Sequence, residues 1–245
     1  MITNIEELSM NAWPALQTKL YDGWVLRFAD GYTKRSNSIN PIYESNISLQ
    51  MKLDFCEKDY EHVNLPIVYK LTPDSQPKDL DEELDKRGYI RIDETSVRIL
   101  DMEHYYQAKA GDIHFASEFN DTWINGFLKC SGINEKDTIT AKKMLNNIMG
   151  EVVCVSKWVD EKVIGCGFGV IERGCIGIFD IIVDKSYRGN GYGKSIMNSI
   201  LNTAAKKGVK TAFLQVVVGN IPAENLYENL GFQEEYKYWY RVKKA

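Results

Sequence analysis

The stretch Val183-Asp184-Lys185-Ser186-Tyr187-Arg188-Gly189-Asn190-Gly191-Tyr192-Gly193-Lys194-Ser195 decides how this chain is read. Before it lies an apolar run, residues 175–183, interrupted by Asp180. After it, apolar residues recur at helical spacing through residues 194–207 and stop at Gly208. The order expected is therefore buried strand, glycine loop, amphipathic helix. A helix start presents unpaired backbone N–H groups and the positive end of the helix dipole. Glycines let a ligand come close to that backbone. Such a turn suits an anion, above all a phosphate or pyrophosphate.

Two common phosphate motifs do not fit. A dinucleotide-binding turn needs G-x-G-x-x-G, and here the third glycine comes one residue early. A P-loop needs G-x-x-x-x-G-K-S/T. Gly193-Lys194-Ser195 supplies its end, but the position of its first glycine holds Arg188. What remains is R-x-x-G-x-G, carried by Arg188, Gly191 and Gly193.

The flanks extend that pattern. Val183-Asp184-Lys185-Ser186-Tyr187 precedes it, and Asn220-Ile221-Pro222-Ala223-Glu224-Asn225-Leu226-Tyr227-Glu228-Asn229-Leu230-Gly231-Phe232 follows the next apolar run, residues 212–218. Together these resemble the GNAT acetyltransferases: V-D-x-x-Y/F, then R-x-x-G-x-G, then N-x-x-A-x-x-L-Y-x-x-x-G-F. The resemblance covers residues 112–245.

In that family two central parallel strands splay, and the pantetheine arm of acetyl-CoA inserts between them. The resemblance thus implies that backbone groups of Ile181, Ile182 and Val183 pair with the arm. It implies that Arg188, Gly189, Asn190, Gly191, Tyr192, Gly193 and Lys194 hold the pyrophosphate. Asn220 and Ala223 would contact the pantetheine, and Tyr227 would face the sulfur as general acid. The reaction implied is attack of a neutral amine on the thioester, releasing coenzyme A. A phenol of reference pKa near 10 can serve a leaving thiol of roughly 8.5.

A base must also take the amine proton. Asp180 is one candidate, with Glu172 and Asp184 behind it. Asp180 can equally cap a neighbouring backbone group, and Asp184 can shape the turn before Arg188. Bland readings stand beside the others too. Arg188 fits a surface ion pair, Tyr227 a core tyrosine and Asn220 a strand end. Tyr236, Tyr238, Trp239 and Tyr240 fit sheet packing. No residue pattern suggests a metal site.

The rest of the chain reads as a second, worn copy. Leu84-Asp85-Lys86-Arg87-Gly88-Tyr89 parallels Tyr227 to Phe232, each after an apolar strand and a short helix. Residues 103–111 are polar and aperiodic. The division expected is residues 1–110 as a degenerate GNAT-like unit and 111–245 as the catalytic one. The fold class is α/β, with a mixed, mostly antiparallel sheet and flanking helices in each unit. In the first unit the strands expected are 23–30, 65–71 and one or two within 90–100, with a helix at 78–87. Residues 46–62 carry both helical and alternating spacing, and their length and charge favour helix. The nearest basic run, Lys34-Arg35-Ser36-Asn37-Ser38, lacks glycine, and Leu84 stands where the other half has Tyr227. Trp24, Arg27, Asn37 and Asn40 are candidate acceptor contacts, or packing and turn residues.

In the second half, helices are expected at 120–131, 137–149 and 222–229. Strands are expected at 152–159, 163–171 and 234–242, with a hairpin turn at Asp160-Glu161-Lys162. The 30 Lys and Arg against 34 Asp and Glu give a net charge of -4, which supplies no overall basic surface for nucleic acid. No apolar run reaches the ~18 residues of a membrane helix, and the N-terminal residues lack a signal-peptide pattern. A cytoplasmic location is expected, as monomer or homodimer. Five cysteines without a C-x-x-C pair read as reduced and mostly buried. Beside the enzyme, two readings remain: a non-catalytic acyl-CoA-binding or regulatory protein, and a P-loop-type nucleotide binder.

Overall fold

The computed structural model describes residues 1–109, 111 and 113–243. The chain forms two compact units. One contains residues 1–96 and returns at Tyr236, and the other is Val97–Glu235.

In the first unit, helix α1 (Ile2–Ala12) precedes strands β1 (Gln17–Tyr21), β2 (Trp24–Phe28) and β3 (Ile39–Pro41). Then come α2 (Leu49–His62), β4 (Ile67–Leu71), α3 (Leu80–Lys86) and the start of β5 (Ile90–Asp101). The last strand, β11 (Gln233–Lys243), enters this unit at Tyr236 and pairs antiparallel with β4, Tyr240 opposite Lys70. The strand order is β1-β2-β3-β4-β11, and β3 runs parallel to β4. Trp24, Leu26, Ile39, Leu53, Tyr60, Tyr69 and Leu84 build its core, which α2 and α3 cover.

The second unit contains the end of β5, β6 (His114–Ala116), α4 (Asp121–Ser131), α5 (Glu135–Asn146), β7 (Glu151–Val159) and β8 (Lys162–Glu172). It continues with β9 (Cys175–Val183), α6 (Tyr192–Lys206), β10 (Thr211–Val217) and α7 (Ile221–Asn229). Here the order is β5-β10-β9-β8-β7-β6. Apolar residues of α6 at Ile196, Met197, Ile200, Leu201 and Ala204 form one stripe, buried against the sheet.

Gly165, Gly167 and Gly169 alternate along β8 and face that stripe. A Cβ at each would stand 3.0–3.1 Å from Ile196 or Ile200 of α6. At Gly165 it would also stand 2.9 Å from the backbone oxygen of Ile182, which cannot swing aside. Gly165→Ala is therefore expected to cost about 1–3 kcal/mol, read as a lower denaturation midpoint at an unchanged m-value.

The mixed α/β class, mostly antiparallel, is as expected. Several bounds differ. The helix expected at 46–62 begins at Leu49, because Asn46 and Ile47 give their N–H groups to the Asp22 carboxylate at 2.8–3.1 Å. The helix expected at 137–149 is Glu135–Asn146, capped by the Asn134 side chain. Residues 90–101 form one strand. The division expected at 110–111 falls inside the second unit, and Ala110 itself lies outside the described residues. The units part earlier, after Ser96, and the first takes up the chain again at Tyr236, where Trp239–Lys243 of β11 pair with β4.

Candidate active site

The site grows from one interruption in a sheet. Strands β9 and β10 run parallel, but their register covers only Cys175–Ile178 against Thr211–Leu214. Beyond those four pairs both strands continue without matching partners on each other, β9 to Val183 and β10 to Val217. Unpaired strand edges carry N–H and C=O groups that need partners. An extended ligand laid between the strands can supply them.

On its other side β9 pairs with β8, and the register jumps between Cys166–Ile182 and Phe168–Phe179. Asp180 and Ile181 together oppose Gly167. This is a β-bulge, and Asp180 sits in it at φ 48. A bulge re-aims the following residues and twists the strand. A Cβ at Gly167 would come within 2.4 Å of the Ile181 side chain, so glycine leaves room for the bulge. The interruption of the apolar run at Asp180 is thus also a break in the alternation of β9.

Val183 leads into the loop. The Asp184 carboxylate accepts the Ser186 N–H at 2.9 Å, which fits the turn-shaping reading of that residue. Arg188 donates Nε–H to the Val183 carbonyl at 3.0 Å, so its side chain fastens the end of β9. Asn190 donates its amide to the carbonyls of Tyr187 and Arg188. Gly189 and Gly191 have φ 82 and 78, and nothing lies within 4 Å of a Cβ at either. Gly191 is the N-cap of α6 and no side chain caps that helix. The N–H groups of Tyr192, Gly193 and Lys194 therefore point out of the helix end, next to open space. The Lys157 ammonium stands 5.9 Å from the Tyr192 ring centre, a neighbour that the loop motif does not announce.

Across the opening, Asn220 caps α7 with its backbone, accepting from Ala223 and Glu224, while its exposed side chain makes no cap. Ala223, Leu226 and Tyr227 pack on the core of this unit. Tyr227 meets Phe232 edge-on at 6.2 Å. Burial pushes its hydroxyl up to about 12, and the Asp180 carboxylate adds to the rise. The charge of Asp180 thus acts on Tyr227, although 47 residues part them in sequence. Arg98 on β5 donates to Glu228 at 2.9 Å and so fastens α7 beside Tyr227. Glu172, at the far end of β8, pairs with Arg173.

Residues 102–232, more than half of the chain, match the model of the acetyltransferase (GNAT) family. The chain belongs to that family. Its sequence is 26% identical to the uncharacterized N-acetyltransferase YobR of Bacillus subtilis, over 99% of both chains. In structure it resembles a GCN5-related N-acetyltransferase from Kribbella flavida, with a TM-score of 0.74 at 13% identity over 99% of this chain and 95% of that one. It also resembles a tandem GNAT protein from the clavulanic acid biosynthesis pathway. There the TM-score is 0.68 at 10% identity, over 98% of this chain and 87% of the other. The GNAT-like character therefore extends to the first unit, and the protein is an acyl-CoA-dependent acetyltransferase with a tandem fold.

The first unit's own helix start shows why it is degenerate. After β3 the chain reaches α2 without a glycine turn, and the Asp22 carboxylate takes the N–H groups of Asn46 and Ile47. Those N–H bonds, chiefly Ile47's, hold Asp22 below the usual carboxylate range. Buried Lys52 donates to the Asp22 carbonyl and, at 2.6 Å, to Ser45. An anion of the protein thus stands at the loop before α2, and the basic run at Lys34 is not that loop. Leu84, opposite Tyr227 in the repeat, is fully buried. Trp24, Arg27 and Asn37 are buried and bonded to backbone within the unit, as are the amide hydrogens of Asn40. They serve packing and turns, so the candidate acceptor contacts of the first unit fall away. Among the described residues, no helix is long and apolar enough to cross a membrane.

Proposed function

We propose that the second unit transfers an acetyl group from acetyl-CoA to a primary amine of a small molecule or peptide, by direct attack on the thioester. The observation that carries this is the opening between β9 and β10, flanked at one end by the uncapped start of α6 and bordered by Tyr227. The edge groups of Ile181–Val183 pair with the pantetheine arm, beside Asn220 and Ala223. The pyrophosphate lies on the N–H groups from Gly189 to Lys194, with Arg188, Asn190 and Tyr192 shaping that cradle.

The acceptor must arrive as a neutral amine. Its nitrogen forms the new C–N bond, the C–S bond breaks, and the amine loses one proton. Asp180, held in the bulge, is the proposed proton acceptor, directly or through water. Tyr227 faces the sulfur. A donor pushed up to about 12 meets a leaving thiol of roughly 8.5, so complete transfer to a free thiolate is uphill. The hydroxyl therefore acts first as a hydrogen-bond donor to the developing sulfur anion. Asp180 has a second effect: its charge helps to keep the proton on Tyr227.

The test is calorimetric titration with acetyl-CoA, followed by thiol release across a panel of primary amines. Micromolar binding and amine-dependent release of coenzyme A are expected. A folded protein that binds no acetyl-CoA would withdraw this reading. Binding without release on any amine would favour a sensor instead.

A further inference from the structure

Helix α7 carries Tyr227, yet none of its nine residues is fully buried. Its apolar side, Ala223, Leu226 and Tyr227, is only partly covered by the core. Such a surface leaves the helix free to turn a little about its axis, and the tip of a long side chain then moves furthest. Two of its contacts lie in the adjoining chain and turn with it: the Gly219 N–H on the Glu224 carboxylate at 3.2 Å, and the Tyr227 ring against Phe232.

Strand β5 supplies a hold from outside. Arg98 and Leu100 stand two residues apart on it and so share a face of the strand. Leu100 Cδ1 lies 3.3 Å from where a Cβ at Gly231 would stand, just past the end of α7. Arg98 Nη1 donates to Glu228 Oε1 at 2.9 Å. The end of α7 is thus held at two points, one apolar and one ionic. The ion pair is lopsided. The Arg98 side chain is 8% exposed and that of Glu228 60%, and Arg98 Nε is buried without a hydrogen-bond partner. Burying a guanidinium costs much of what its partner returns, and a well-packed apolar side chain of similar size often does as well or better. A buried charge that stability does not call for points to a geometric role.

We propose that Arg98 is a positioning residue for acetyl transfer: through Glu228 it sets the rotation of α7, and thereby where the Tyr227 hydroxyl meets the thioester sulfur. This rests on the role given to Tyr227 above. Arg98 acts through another residue and takes no part in the bonds made and broken. A misplacement of about 1 Å can cost on the order of 10²-fold in rate, so a small turn of the helix is enough.

The experiment is a double-mutant cycle on kcat, read as release of coenzyme A from acetyl-CoA with an amine that is turned over. Its corners are wild type, Arg98→Met, Tyr227→Phe and the double variant. Arg98→Met should lower kcat about 10–100-fold, while the KM for acetyl-CoA is unchanged and the melting temperature does not fall. Arg98→Lys keeps a charged donor and should recover part of the loss. In the Tyr227→Phe background, Arg98→Met should cost nothing further, because the hydroxyl it aims is already gone. Losses that multiply would overturn the proposal, as would a wild-type kcat in Arg98→Met while Tyr227→Phe is slow. A Tyr227→Phe as fast as the wild type would instead withdraw the role of Tyr227, and the proposal with it. Should Arg98→Met fail to fold, Glu228→Gln is the milder break, with the same pattern expected at smaller amplitude. Amide exchange gives a readout without turnover: residues 221–229 should exchange faster in Arg98→Met, and the rest of the second unit as before. Unchanged exchange across 221–229 would show that Arg98 does not hold the helix, and the proposal would fall.

Discussion

Tyr227→Phe is expected to lower kcat by about 10²–10³-fold, the loss that follows removal of one donor aimed at developing charge. The KM for acetyl-CoA should change little. The ring keeps its packing on the core and against Phe232, so only the hydroxyl is lost. An unchanged melting temperature would separate this from a folding defect. The pH profile adds a second check. Burial, then the Asp180 charge, pushes the hydroxyl up to about 12 from 10.0. The donor therefore keeps its proton throughout the neutral and mildly alkaline range. Raising the pH towards 10 should increase the rate as more acceptor amine becomes neutral, without a falling limb from Tyr227. A falling limb near pH 10 that vanished in Tyr227→Phe would contradict this assignment of the hydroxyl's environment. Equal kcat in wild type and variant would remove Tyr227 from the chemistry.

The legible parts of this protein were those in which a local rule leaves few residue choices. An uncapped helix start that meets an anion needs glycine at positive φ, and Gly189 and Gly191 show both in sequence and in structure. The stripe on α6 and the buried run of β10 follow from period alone. The interruption at Asp180 was visible, but its meaning was not. A bulge depends on which partner strand lies alongside, and Gly167 announces it only once β8 is known to pair there. Helix α1 carries Ile5, Leu8 and Ala12 on its buried side, a helical spacing that could have been read. Strand β1 is exposed along nearly its whole length, so no alternation marked it. Asp22 is the deepest omission. A single acid in a turn says nothing of the loop it will bind 24 residues later, because that contact is made only by the folded unit.

That contact also predicts the variant with the largest effect on the cofactor. Gly191→Asp should weaken acetyl-CoA binding by about 100-fold or more, close to 3 kcal/mol at 1.4 kcal/mol per tenfold. Two costs add. Gly191 holds φ 78, and a residue with a Cβ gives up roughly 1–2 kcal/mol in that left-handed region. The new carboxylate also sits at the N-cap of α6, where it can accept the helix N–H groups itself. The first unit shows a carboxylate taking backbone N–H groups in the loop ahead of a helix, where Asp22 accepts from Asn46 and Ile47. The substitution would thus place an anion of the protein where the pyrophosphate is proposed to lie, and like charges would repel. Because that repulsion is screened by salt, part of the affinity should return at high ionic strength, whereas the backbone cost should not. Gly191→Ala separates the two: it carries the backbone cost alone, so its loss should be about tenfold and insensitive to salt. If Gly191→Asp bound acetyl-CoA as tightly as wild type, the pyrophosphate would have to lie elsewhere than at the start of α6.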